Sequence, residues 1–243
     1  MKVNEKRSKF WLTVSIILIF LCLFLGTMLG VLYIKKYTPQ KLLSKFGIKV
    51  ADATDYSLFS WNSSLEQLVY DADIVFIGDS LTRGENFQEY FPDKKILNLG
   101  RSGDTVSGVS ERSHIISRFT PEKIFVMVGV NSLGLDSVDD IVSQYETMII
   151  NLKNDNPSAD IFVQSVLPVN KSNKNESLKS NNNIINLNEK LHSLAKRQGV
   201  TYIDVYSVYV LDGEMNPQYT VDGIHLKEEY KYLWLDVLSK YIN

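Results

Sequence analysis

The sequence has a single cysteine, Cys22, among its 243 residues. That excludes an intramolecular disulfide framework and any zinc or redox site built on a CxxC pair. Only three histidines are present, His114, His192 and His225, which leaves little room for a histidine-rich metal centre. An excess of basic residues is also lacking, since 26 Lys and Arg stand against 28 Asp and Glu. A general nucleic-acid-binding protein with a basic face is therefore not expected.

The composition is otherwise that of a globular protein, with 44% hydrophobic and 22% charged residues, except near the N-terminus. Residues 10–34 form a 25-residue run without a charged side chain, and a membrane-spanning helix needs about 20 apolar residues. Cations lie on both sides of this run. It is longer than the apolar core of a cleaved secretory signal, which has roughly 7–15 residues. We predict a basic tail at residues 1–9 and an uncleaved transmembrane signal anchor at residues 10–34.

Positive charge flanks both ends of this anchor, so the positive-inside rule comes close to a tie on its orientation. A basic tail ahead of an apolar run resembles an export signal. We therefore expect a single-pass protein of the cell membrane with its globular part outside the cell. Residues 35–60 show no clear period and are predicted to form a stalk, followed by one domain over residues 61–243.

From residue 73 onward, short apolar runs alternate with longer helical patterns. This alternation predicts the α/β class, with a parallel sheet covered by helices on both faces. Ligands of such sheets bind at the carboxyl ends of the strands. The predicted strands are Ile74–Ile77, Lys95–Leu99, Ile124–Val128, Ile161–Val166 and Tyr202–Val205; the predicted helices include Val138–Leu152, Ile184–Lys196 and Lys227–Tyr241, with an exposed loop at Asn170–Asn183.

Three polar segments follow the first three predicted strands. Ser80 lies where the chain leaves the first strand, and a serine there can act as a nucleophile. Gly103 and Asn131 follow the second and third strands. A backbone N–H at a glycine and the amide of an asparagine can both donate to an oxyanion. Taken singly, each segment also fits an ordinary role, as a helix cap, a flexible turn or a side chain that holds a loop.

A fourth segment places Asp222 three residues before His225, just ahead of the last predicted helix. The carboxylate can bind one imidazole nitrogen and leave the other to act as a base. The alternative is that Asp222 caps the helix and His225 is a surface residue. Together the four segments supply a nucleophile, a base, a group that orients the base, and oxyanion donors. That is the set of groups a serine hydrolase needs.

With these motifs, the sequence resembles the SGNH/GDSL hydrolases, a family of acylhydrolases and esterases, from about residue 73 to the C-terminus. The resemblance implies a three-layer α/β/α, flavodoxin-like parallel sheet with the strand order 2-1-3-4-5. It rests on the blocks Gly78-Asp79-Ser80-Leu81, Asn98-x-Gly100-x-x-Gly103-Asp104-Thr105, Gly129-x-Asn131 and Asp222-x-x-His225.

The resemblance also implies roles for the residues of these blocks. Ser80 would be the nucleophile, His225 the general base and Asp222 its partner. The N–H groups of Ser80 and Gly103 and the amide of Asn131 would form the oxyanion hole. One departure concerns the residue after the asparagine, where the family often has aspartate and this chain has Ser132. The departure removes no catalytic group but puts the positioning of Asn131 in question.

The expected function is that of a membrane-anchored serine esterase that cleaves acyl or acetyl esters through an acyl-serine intermediate, without a metal or an organic cofactor. Expected substrates are O-acetyl groups of surface glycans, or short-chain and lysophospholipid esters. Arg83 and Arg101 either contact an acidic substrate group or are ordinary surface cations. Two alternatives stay open, an O-acyltransferase that acts on a cell-surface glycan and an inactive surface-binding module. Nothing in the sequence indicates the oligomeric state.

Overall fold

The computed structural model describes residues 71–170 and 180–242. The predicted basic tail, signal anchor and stalk, at residues 1–60, lie outside this part of the chain, as does the predicted start of the domain at residue 61. Among the described residues, none of the helices combines the length and the apolar character that a membrane crossing requires.

Five parallel strands form a single sheet with the order β2-β1-β3-β4-β5. This is the order that the family resemblance implied. All five predicted runs are strands, and their observed ends differ from the predicted ones by at most two residues. The strands are β1 (Ile74–Gly78), β2 (Ile96–Gly100), β3 (Lys123–Met127), β4 (Asp160–Gln164) and β5 (Thr201–Ile203).

Helices fill the connections that parallel strands require. They are α1 (Ser80–Arg83), α2 (Phe87–Tyr90), α3 (Val106–Arg112), α4 (Val138–Asp155), α5 (Asn181–Gln198) and α6 (Tyr232–Ile242). Shorter elements, which the sequence did not indicate, are 3-10 helices at Ser113–Phe119, Ser132–Gly134, Tyr206–Val208 and Glu228–Tyr230, and an antiparallel pair, β6 (Val210–Leu211) and β7 (Glu214–Met215).

Several sequence-based boundaries were wrong, and the predicted helices Val138–Leu152 and Ile184–Lys196 are both longer than expected. The predicted loop Asn170–Asn183 ends too late, because Ser180 accepts a hydrogen bond from the N–H of Asn182 and so begins α5 at Asn181. The predicted helix Lys227–Tyr241 is divided into a 3-10 turn and α6. Residues 171–179 of the predicted loop lie outside the described residues.

The sheet is buried on both faces, as its nearly continuous apolar strands predict. On one face Phe76, Phe125 and Phe162 occupy matching positions of β1, β3 and β4. Their rings stack with centroids 4.8 and 4.5 Å apart, and Phe87 of α2 stacks on Phe76 at 3.7 Å. Trp234 of α6 meets the edge of Phe87 at 5.5 Å. This aromatic core fixes α6 and the segment before it against the sheet.

Helices α3, α4 and α5 contact one another in series, and the buried side chains of α4 recur at spacings of three and four. The alternate residues of β1, Val75 and Ile77, are fully buried and point away from the aromatic core. Helices therefore cover both faces, and only the ends of the strands are open to a ligand. The polar segments that the sequence singled out lie at the carboxyl ends.

Candidate active site

Ser80 begins α1 directly after the end of β1. The chain turns there because Asp79, which is buried, caps α1 and accepts a hydrogen bond from the N–H of Leu81 at 3.0 Å. Ser80 itself is only partly buried. The local fold thus presents a serine hydroxyl at the carboxyl edge of the sheet, where the sequence predicted it.

The structure brings Ser80 together with His225 and Asp222, although Ser80 and His225 are 145 residues apart in the chain. The hydroxyl oxygen of Ser80 lies 2.9 Å from Nε2 of His225, and Nδ1 of the same ring lies 2.7 Å from Oδ2 of Asp222. Beside an ionised carboxylate, Nδ1 carries the ring proton and donates it. Nε2 is then the acceptor for the Ser80 hydroxyl.

Asp222 is held by a tight turn between Thr220 and Leu226, which form an isolated antiparallel bridge. Its Oδ1 accepts hydrogen bonds from the backbone N–H groups of Ile224 and His225, at 3.0 and 2.8 Å. Partial burial acts to raise the pKa of Asp222, but the bonds from the backbone and ring of His225 and from Ile224 outweigh it and lower the pKa below its ordinary value. The carboxylate is therefore ionised at neutral pH.

Gly103 and Asn131 lie in the neighbouring loops. Gly103 has a φ of +76°, in the left-handed region that favours glycine, within a turn in which the N–H of Asp104 bonds to the carbonyl of Arg101. Nδ2 of Asn131 donates to the carbonyl oxygen of Asp104 at 3.0 Å. This bond joins the loops that follow β2 and β3. The last residues of β1 and β2, Gly78 and Gly100, are paired in the sheet, so all three loops adjoin.

Ser132, which stands next to Asn131 where the family often has aspartate, makes hydrogen bonds through its hydroxyl and its backbone N–H. It is fully buried, and its hydroxyl accepts a hydrogen bond from the N–H of Val106, the first residue of α3, at 2.9 Å. Its own N–H bonds to the carbonyl of Gly129. The loop that carries Asn131 is therefore closed on itself at Gly129 and attached to α3 through the serine hydroxyl, without an aspartate.

Arg112 is a supporting residue that the sequence did not single out. It is buried, and its guanidinium forms an ion pair with Asp104 at 2.7 Å. The same group donates to the carbonyls of Leu99 and Gly78, at 2.7 and 3.0 Å. Burial lowers the pKa of Arg112 and the neighbouring carboxylate of Asp104 opposes this. One cation thus joins the ends of β1 and β2 to the loop that contains Gly103.

Lys231 links the segment of Ser80 to the segment of His225. Its ammonium group donates to the carbonyl of Gly84, which caps α1, at 2.6 Å, and pairs with Glu228 at 2.7 Å. The N–H of Gly84 bonds in turn to the carbonyl of Ser80. The nucleophile segment and the C-terminal segment are therefore joined by a direct polar contact close to the candidate site.

The two arginines considered as substrate contacts lie on this same edge. Arg83 is the last residue of α1 and donates to the hydroxyl of Ser102 at 3.0 Å. Arg101 directly follows β2. The two other histidines make different contacts: Nδ1 of His114 lies 2.9 Å from the carbonyl of Glu111, and His192 stacks on Tyr202.

Within residues 71–170 and 180–242, no three side chains of His, Cys, Asp or Glu come together in a way that could hold a metal ion. What the site offers chemically is a hydrogen-bonded series of hydroxyl, imidazole and carboxylate. Such a series allows a hydroxyl proton to pass to the imidazole as the oxygen attacks an electrophilic carbon.

Solved structures with this fold come from several bacteria. A Streptococcus pneumonia protein named for platelet activating factor is 26% identical over 78% of this chain and 92% of its own, with a TM-score of 0.70. A GDSL-like lipase from Bacteroides thetaiotaomicron is 21% identical over 76% and 96%, with a TM-score of 0.65. A variant of an acetyl-xylooligosaccharide esterase from Geobacillus is 15% identical over 72% and 96%, with a TM-score of 0.57.

No curated protein matches the chain. The family profile described as GDSL-like Lipase/Acylhydrolase matches residues 76–230, which is more than half of the sequence and includes Ser80, Gly103, Asn131, Asp222 and His225. The chain therefore belongs to the GDSL-like lipase/acylhydrolase family, and it is an ester-hydrolysing enzyme.

Proposed function

We propose that this chain is a serine esterase that cleaves acyl or acetyl esters through a covalent acyl-serine. The observation that carries the proposal is the hydrogen-bonded series from Ser80 to His225 to Asp222, with links of 2.9 and 2.7 Å. The hydroxyl of Ser80 attacks the ester carbonyl carbon while Nε2 of His225 takes its proton. The carboxylate of Asp222 stabilises the imidazolium that forms.

The tetrahedral intermediate then collapses. Its bond to the alcohol oxygen breaks, His225 gives its proton to the leaving alcohol, and the acyl group stays on Ser80. A water molecule attacks this acyl-serine, His225 again takes and returns a proton, and the carboxylic acid leaves. The N–H groups of Ser80 and Gly103 and the amide of Asn131 stabilise the oxyanion in both steps. No metal or organic cofactor enters this cycle.

Labelling of the full chain with a fluorophosphonate probe tests this mechanism. Wild type should be labelled on Ser80, and Ser80→Ala should not be labelled. Ser107→Ala, which removes an exposed hydroxyl on α3, is the matched control and should label as the wild type does. An unlabelled wild-type protein would overturn the acyl-serine mechanism.

We further propose O-acetyl groups of surface glycans as the first candidate substrate, with short-chain or lysophospholipid esters as the second. Support comes from exposure, since the side chains of Asp222 and His225 are 52% and 46% exposed. A base this open to solvent suits an ester on a large molecule that stays mostly outside the protein. The Geobacillus neighbour, named as an acetyl-xylooligosaccharide esterase, has the same fold.

A panel of acetyl, butyryl and long-chain esters tests the length of the acyl group. We expect turnover to be fastest with acetyl esters, and faster turnover of long-chain esters would reject glycan deacetylation in favour of lipid hydrolysis. Products should also be compared with and without a glycan acceptor. Acyl transfer to the glycan in place of release of free acid would identify an acyltransferase.

We also propose that residues 10–34 anchor the enzyme in the cell membrane with its domain outside, which the uncharged run and the basic tail support. The full chain should stay with membranes after alkaline carbonate extraction. In intact cells, added protease should remove the domain. Release by carbonate would contradict the proposed membrane anchor. Protection from protease would indicate that the domain lies inside the cell.

A further inference from the structure

Arg83 and Arg101 extend from neighbouring backbone segments beside Ser80. Arg83 lies three residues after Ser80 in α1, and residues at this spacing share a helix face. Arg101 follows Gly100, whose backbone approaches α1 so closely that a Cβ there would lie 2.2 Å from the nitrogen of Arg83. The glycine allows this contact, and the contact places both arginines on the rim that carries the nucleophile.

Neither arginine has a carboxylate partner within residues 71–170 and 180–242. Among the described residues, Arg83 donates only to the hydroxyl of Ser102. The side chain of Arg101 makes no hydrogen bond or ion pair with this part of the chain. Within the part of the chain that the structure describes, no carboxylate neutralises the positive charge of this pair.

Four carboxylates at this edge of the sheet make contacts with other groups. Asp79 is buried and caps α1, Asp104 is buried in its ion pair with Arg112, and Asp222 binds His225. Glu85 is buried beside Lys231. Within the described residues, none of these carboxylates forms an ion pair with Arg83 or Arg101.

We propose that Arg83 and Arg101 bind an anionic oxygen group, a carboxylate or a phosphate, on the ester that Ser80 cleaves. The inference rests on the proposed function and narrows its substrate class to esters whose alcohol part carries such a group. A guanidinium presents paired N–H donors that match both kinds of anion. Ser102 accepts from Arg83, which leaves its hydroxyl hydrogen to donate to the same anion.

Exposed ion pairs are weak singly, so each arginine should change kcat/KM only by a factor of about 1.5–5, and the two together by about 10-fold at low salt. Salt should reduce the effect, because the charges are screened over a Debye length of about 10 Å at 0.1 M. Preference for the anionic ester, rather than absolute rate, is the quantity that reports these contacts.

The experiment uses the full chain and acetyl esters matched in size. 4-Acetoxybenzoate and 4-acetoxyphenyl phosphate are the anionic substrates, and 4-acetoxybenzamide is the neutral one. The ratio of kcat/KM, anionic over neutral, should fall about 10-fold from wild type to the double variant Arg83→Gln, Arg101→Gln in 20 mM NaCl. Arg197→Gln, which removes an exposed cation on α5, should keep the wild-type ratio. The two anionic substrates distinguish carboxylate from phosphate.

The ratio is internal to each variant, so partial misfolding affects both of its terms alike. If the double variant does not fold, the wild-type ratio should still fall between 20 and 500 mM NaCl. A ratio unchanged by the substitutions, or a wild-type ratio unchanged by salt, would overturn this inference. The proposed function would survive that result if Ser80→Ala loses hydrolysis of all three esters, and it would fail, together with this inference, if Ser80→Ala retains wild-type hydrolysis.

Discussion

At the scale of single residues, the candidate site depends on side chains that make several bonds at once. Asp222 accepts from two backbone N–H groups with one oxygen and binds His225 with the other. Asn131 is oriented by its bond to the carbonyl of Asp104. Because such groups are already held before a substrate arrives, little ordering is left to occur during the reaction.

Replacement of Asp222 should give a pH-dependent loss of stability. A carboxyl whose pKa is lowered by folding stabilises the folded state above its unfolded pKa, about 3.9, and the contribution is lost as the pH falls through the lower folded pKa. We expect Asp222→Asn to be less stable than wild type at pH 5, and the difference to shrink toward pH 2. Urea denaturation at several pH values measures it. A difference that stayed constant down to pH 2 would contradict the lowered pKa.

Replacement of Asn131 tests the oxyanion hole. Asn131→Ala should lower turnover on the order of 10²–10³-fold, because it removes one donor to the developing negative charge. The same change deletes a hydrogen bond to the Asp104 carbonyl, so thermal unfolding should be measured beside the kinetics. Asn182→Ala, an exposed position on α5, is the control. Unchanged turnover would remove Asn131 from the hole.

At the scale of elements, the ends of β1 and β2 and the start of α3 are held by one buried ion pair. Arg112→Met should destabilise the protein by about 3–5 kcal/mol, because it leaves the buried carboxylate of Asp104 without its partner. Addition of Asp104→Asn should recover part of the loss. Urea denaturation measures both variants, with Arg197→Met, an exposed cation on α5, as the control at about 0.5 kcal/mol or less.

A loss as small as that of the control would mean that Arg112 is not the structural link between these elements.

The position of Arg112 explains why its structural role was not predicted from the sequence. Arg112 follows Val106 and Val109 at helical spacing, on the face of α3 that turns inward. From sequence alone, a basic residue at this position is interpreted as part of the solvent-exposed face of the helix. Its partner Asp104 is equally well explained as a helix cap, and the backbone carbonyls that Arg112 binds leave no pattern in the sequence.

At the scale of the whole molecule, the two ends of the domain meet. Ser80 lies near the start of the described chain and His225 near its end, and the aromatic core places α6 and the segment before it against the sheet. Lys231 adds a polar contact between the same two segments. The site should therefore be formed only while the hydrophobic core is packed, because the loops alone do not bring Ser80 and His225 together.

A core substitution far from the reacting groups tests this dependence. Leu238→Ala, in the buried face of α6, should cost about 2–5 kcal/mol of stability through the cavity that it leaves. Fluorophosphonate labelling should then be lost at a lower urea concentration, together with the far-ultraviolet circular dichroism. Leu211→Ala, half-exposed in β6, should change stability by no more than about 0.5 kcal/mol. Labelling that survived the loss of structure would contradict the prediction.

Much of this protein followed from the sequence alone. Apolar runs of strand length, separated by helical periods, determined the parallel sheet to within two residues, because burial on both faces demands such runs. The position of Ser80, Gly103 and Asn131 after successive strands placed them on one edge, since parallel strands end on the same side. The roles of these groups stay proposals.

Other features were decided only by the tertiary structure. The ring of His225 reaches Ser80 because the aromatic core holds α6 and the Thr220–Leu226 turn against the sheet. The separation of the two residues along the sequence does not predict how close they are in space. The attachment of Ser132 to α3 likewise depends on packing. Local patterns determine which residues are strand or helix, whereas contacts between segments more than a hundred residues apart exist only once the core has closed.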